Sequence, residues 1–279
     1  MKSPIRGFGV WGLGVVINLG GLGYFIVHGW PGEPSACIHY TPNHCFCEAF
    51  NLDDVLQHKP GVRQVVNTWS NLYAVFTSLL VAFIIFYDRK KYLPAQAPNY
   101  LCSHTWIPDL YIFAVLFLGL GSPWFHASMT EWGGFIDGVS MYVFTAFLFF
   151  YSLLRLTKKQ SVFWIGYPLC LVLFAWLHTR MDSFVNIMIL VVAYLICEIV
   201  LWRQTGKILL GTRRAQGLWF AGVFSILLAS FFWWASRTGN FLCDPQSWFQ
   251  PHGLLWHTLA GMTALCLYFY FRLEGSQAN

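Results

Sequence analysis

Five polar residues interrupt stretches of the chain that are otherwise apolar. They are Ser122 and His126 in GLGSPWFHAS, Asp137 in GGFIDGVSMY, and His252 and His257 in FQPHGLLWHTLAGM. Three imidazoles around one ion, with a fourth position open, form the ligand set of catalytic zinc, which lowers the pKa of a bound water toward ~7. A nearby carboxylate such as Asp137 can then act as general base and later as general acid. A hydroxyl such as Ser122 can bond a developing oxyanion. Together these residues predict hydrolysis of an amide or ester. Ser122 and His126 are four apart and share a helix face. Asp137 follows His126 by eleven residues, across a tight turn that lets it face back. His252 and His257 are five apart, which separates them by roughly 140° on a regular α-helix. Either a π-bulge realigns them, or His252 sits on the turn after Pro251. Singly, each residue has an ordinary structural explanation; their common depth is what makes them a set.

That depth follows from the elements that carry them. The chain has 279 residues, 57% hydrophobic and 10% charged, far fewer charges than a soluble domain needs. The charges cluster between eight apolar segments, at 8–28, 66–87, 108–127, 134–154, 161–178, 183–202, 217–236 and 253–271. Such lengths span a bilayer, so the fold class is all-α, a polytopic membrane helix bundle. A soluble enzyme, a DNA-binding domain and a disordered chain are excluded, and no nucleic-acid partner is expected. With the N-terminus inside, inner loops and ends hold thirteen Lys and Arg and outer loops four (Lys59, Arg63, Arg180, Arg237). By the positive-inside rule both termini face the cytoplasm, and all five polar residues lie near the outer or lumenal face. The first segment reads as a retained anchor, a signal peptide being the alternative. His178 and Arg180 read as interfacial anchors, Glu198 as a partner for Arg203, and Glu274–Asn279 as a mobile tail. No inverted repeat points to a transporter.

Cys37, Cys45, Cys47 and Cys243 fall in outer loops. Four thiols on an oxidising face predict two disulfides, with a metal cluster or free thiols as the alternative. Cys170, Cys197 and Cys266 lie within apolar segments, where a thiol acts as a small hydrophobe.

The motifs resemble those of the alkaline ceramidases of the CREST superfamily, seven-helix membrane enzymes that cleave ceramide to sphingosine and a fatty acid. VVNTWSNLYAVF (65–76) is similar to the family's Asn-Thr-x-Ser-Asn helix start, GSPWFHAS (121–128) to its Gly-Ser-x3-His motif, and WHTLAGM (256–262) to its last helix; Asp137 has the family's spacing after the histidine. The resemblance covers roughly 44–272, and implies a seven-helix ceramidase-like hydrolase domain there, an extra span with the start of the outer loop at 1–43, and a short cytoplasmic tail at 273–279. It implies zinc on His126, His252 and His257, with Ser122 and Asp137 about the bound water. His252 matches with a one-residue shift, because the family has His-x3-His. It also favours a Cys47–Cys243 disulfide, leaving Cys37 for Cys45. The family's calcium site keeps Glu48 here but meets Cys45, Phe50 and Gln64 in place of Asp, Asn and Glu. Calcium needs several oxygen ligands, so that site is not predicted, although Asn51, Asp53 and Asp54 lie nearby. The expected activity is zinc-dependent intramembrane hydrolysis of ceramide-type amides, with a membrane lipid as substrate. The alternatives are a hydrolase of another acyl lipid, or a non-enzymatic seven-helix receptor with a structural zinc.

Overall fold

A computed structural model describes residues 4–38, 45–205 and 213–274. Lys2 and Lys207, two of the basic residues that set the expected orientation, lie outside the described residues. So do 39–44 of the outer connection and 275–279 of the tail. Ten α-helices are used below: α1 (Arg6–His28), α2 (Leu52–Leu56), α3 (Val65–Trp69), α4 (Tyr73–Lys91), α5 (Ile107–Ser128), α6 (Glu131–Thr157), α7 (Gln160–His178), α8 (Ser183–Thr205), α9 (Arg213–Ala235) and α10 (His257–Leu273). A short 3-10 turn, Ser70–Leu72, joins α3 to α4, and a π-helical turn, His252–Trp256, leads into α10. Among the described residues, eight spans are long and apolar enough to cross a membrane, with Val65–Lys91 counted as one. The chain is an all-α polytopic bundle, and each apolar segment read from the sequence corresponds to one span.

Helices α5 and α6 form the centre, with 72% and 67% of their apolar windows buried, against 6% for α1 and 17% for α7. Close approach depends on small residues, since helices in lipid associate through packing. A Cβ on Gly119 of α5 would lie 2.1 Å from the Ala74 Cβ of α4. Between α5 and α6 the chain reverses at Met129, in the left-handed region at φ 56°. The Thr130 hydroxyl then caps α6 by accepting from the Gly133 amide. This reversal turns Asp137 back toward Ser122 of α5.

The end of the bundle remote from the histidines is closed by buried ion pairs. Asp109 accepts from Arg89 at 2.7 Å and from Arg6 of α1. Arg272 pairs with Asp88 at 2.6 Å. Arg155 pairs with Glu198, and with Glu274 at 2.6 Å. Two expectations are corrected here. Glu198 takes Arg155, not Arg203, because it points into the bundle while Arg203 is exposed. Glu274 is tied down by the same guanidinium rather than free. Burial beside Asp88 pushes the Cys102 thiol up to about 12, so it is not a nucleophile at neutral pH.

Candidate metal centre

His126 ends α5, His252 opens the π-helical turn and His257 begins α10. All three are at most 2% exposed. One ring nitrogen from each lies within 4.8 Å of the others. The π-helical turn resolves the spacing of five: bonding from i to i+5 brings residues five apart onto one face. The π-bulge is therefore the geometry adopted, not a turn that leaves His252 outside the helix.

Hydrogen bonds hold two of the rings from behind, and at His126 they fix which nitrogen is free. Gln64, wholly buried, donates from Nε2 to the backbone carbonyls of Phe46 (3.1 Å) and Glu48 (2.9 Å). Carbonyls only accept, so the amide cannot be reversed, and Oε1 faces His126 Nδ1 at 2.7 Å. That oxygen only accepts as well, so His126 carries its proton on Nδ1 and a lone pair on Nε2. His257 is held from behind by Ser70, whose Oγ lies 2.7 Å from His257 Nδ1 and 3.2 Å from the Asn67 carbonyl. His257 Nε2 is buried with no hydrogen-bond partner among the described residues. His252 Nε2 lies 3.3 Å from His126 Nε2. Tetrahedral zinc, with Zn–N of about 2.0–2.1 Å, sets its ligand nitrogens about 3.3 Å apart. The three-imidazole donor set fits a metal ion, with one nitrogen pair at that separation and all three within 4.8 Å of one another.

Gly253 allows the π-helical turn to reach α3, since a Cβ there would lie 2.8 Å from Asn67 Oδ1 and 3.0 Å from Ser70 Oγ. Glu48 holds α3 in place by accepting the Val66 and Asn67 amides at 2.7 and 2.8 Å. Burial raises the Glu48 carboxyl above its usual range, and those amides oppose the rise.

Two disulfides, Cys37–Cys45 and Cys47–Cys243, bracket Phe46. Its ring stacks on His252, centroids 3.8 Å apart, and lies 5.0 Å from His126. Of the residues compared with the family's calcium site, Cys45 is spent in a disulfide, Gln64 braces His126 and Glu48 caps α3. Asn51 accepts from the Asp53 amide, and Asp54 pairs with Lys59.

Ser122 lies one turn before His126 and is 5% exposed. Its hydroxyl lies close enough to the partly buried Asp137 carboxylate, across the α5–α6 contact, to interact with it. Asp137 in turn acts electrostatically on Tyr73, whose ring lies nearly parallel to His257 at 6.1 Å. The five polar residues thus gather at one end of the bundle as two adjoining groups, three imidazoles and a serine–aspartate pair. From the sequence Phe46 was not singled out, Gln64 was named only as a departure from the family's calcium site, and Ser70 appeared only within the NTWSN motif.

No curated protein matches the chain. A sequence model of the family described as Ceramidase matches residues 41–278, nearly the whole chain. The chain belongs to the ceramidase family, hydrolases that act on the amide bond of ceramide.

Proposed function

We propose that this protein is a zinc-dependent intramembrane amidase that hydrolyses ceramide-type sphingolipids to a sphingoid base and a fatty acid. The observation that carries the reading is the convergence of three buried ring nitrogens, with two of the rings held from behind, next to a serine–aspartate pair. His126, His252 and His257 would hold the ion. A zinc ion so bound makes hydroxide available near neutral pH and polarises a carbonyl. Asp137 takes the proton of the attacking water and returns one to the leaving amine nitrogen as the C–N bond breaks. Ser122 orients Asp137 and supports the negative charge that develops on the amide oxygen. Gln64 and Ser70 keep the ligand nitrogens deprotonated and aimed.

A closed structural zinc site would have four protein ligands. Among the described residues only three His, Cys, Asp or Glu side chains join this group, which favours a hydrolase over a receptor. Residues 44–272 form the catalytic domain in this reading, with α1 as an added span. The distribution of basic residues supports both termini in the cytoplasm and the metal end at the outer or lumenal face.

The test is metal analysis of the purified protein alongside ceramide turnover. His126→Ala is expected to lose both metal and activity. Asp137→Asn is expected to keep the metal while kcat falls about 10²–10⁴-fold. Turnover that survives complete metal removal overturns the proposal. A panel of acyl lipids separates ceramide from phospholipid or glycolipid esters.

A further inference from the structure

A second polar cluster lies beside Asp137 on a different face of α6. It joins Tyr142 of α6, His178 at the end of α7, and Ser183 and Asn186 of α8. Gly138, the residue after Asp137, makes room for it: a Cβ there would sit 2.2 Å from the His178 ring. The Tyr142 hydroxyl lies 2.9 Å from His178 Nδ1, and Ser183 Oγ lies 3.2 Å from the same nitrogen. Asn186 donates from Nδ2 to the Tyr142 oxygen at 3.3 Å. Tyr142 is also close enough to Asp137 for the carboxylate to act on it electrostatically.

The cluster is incomplete. Asn186 is 0% exposed, yet its Oδ1 has no hydrogen-bond partner among the described residues. Turning the carboxamide over would only exchange the open acceptor for an open donor. Either way one polar end of a buried amide is unmet, at a cost of about 1–3 kcal/mol. A group that both donates and accepts, as a hydroxyl does, satisfies either orientation.

We propose that Asn186, braced by Tyr142, is the subsite for a headgroup hydroxyl of the lipid, and so a specificity-determining residue. This rests on the amidase reading above and assigns the part of the substrate that lies beside the scissile amide. A site built around a substrate hydroxyl discriminates strongly against the analogue that lacks it, because its own polar group is then left unpaired. The same residue excludes plain fatty amides.

The test compares kcat/KM for ceramide with that for a plain N-alkyl fatty amide of equal chain lengths, using the full-length metal-loaded enzyme. The native protein is expected to prefer ceramide, and Asn186→Leu to lower that preference at least about tenfold (RT ln 10, about 1.4 kcal/mol) with metal content unchanged. Tyr142→Phe, which removes only the bracing hydroxyl, is read in the same way should the leucine variant not fold. A preference that stays within about threefold of native in these variants, or a native enzyme indifferent to the headgroup, overturns the assignment and leaves the amidase reading standing. If the metal-loaded native enzyme turns over neither lipid, both fall.

Discussion

At the residue scale, the active group is defined by what stands behind the histidines. Gln64 bridges two loop carbonyls and His126, so it converts the fold of the loop into the protonation state of a ligand. Gln64→Leu removes the acceptor behind His126 and is expected to weaken metal affinity about 10–100-fold, measured by competition with a chelator. Ser70→Ala should act on His257 in the same direction. The five polar residues were legible because ionisable groups in apolar runs are costly and conspicuous. Gln64 and Ser70 were not, since a glutamine at a helix start and a serine in a short turn are ordinary residues. Their importance arises from partners 62 and 187 positions away, a relation that no local pattern encodes. Glu198 shows the same limit: Arg203 is near in sequence, but the bundle offers Arg155 from another helix.

At the element scale, the π-helical turn at His252–Trp256 accommodates an extra residue that a regular helix would convert into a rotation of about 100°. Deleting Leu254 shortens the interval to four, which a plain α-helix also places on one face. That variant is therefore expected to retain metal, whereas deleting Leu265 within α10 should disrupt the packing of everything beyond it; metal content and thermal stability separate the two. Gly253→Ala presses on Asn67 and Ser70 and should lower metal affinity roughly tenfold without unfolding the helix. The spans themselves were read from length and hydropathy to within a few residues, because a bilayer demands about 20 apolar residues whatever the tertiary contacts. The π-helical turn was one of two alternatives, since apolar spacing cannot distinguish a bulge from a preceding loop.

At the scale of the whole molecule, chemistry and cohesion occupy opposite ends. The metal ligands gather where α5 ends and α6 and α10 begin, while Arg6, Arg89, Arg155 and Arg272 close the other end against Asp109, Glu198, Glu274 and Asp88. Removing one member of a buried pair strands the other, so Glu198→Ala should cost about 3–5 kcal/mol of stability. The folded fraction should still bind metal normally, as judged by thermal melting and metal content together. Cys47–Cys243 adds a topological consequence, since its half-cystines are 196 positions apart. It knots the polypeptide into a covalent ring that contains α2 through α9. A single nick at an engineered protease site between α8 and α9 would therefore leave one species on a non-reducing gel, and two fragments once reductant opens the ring.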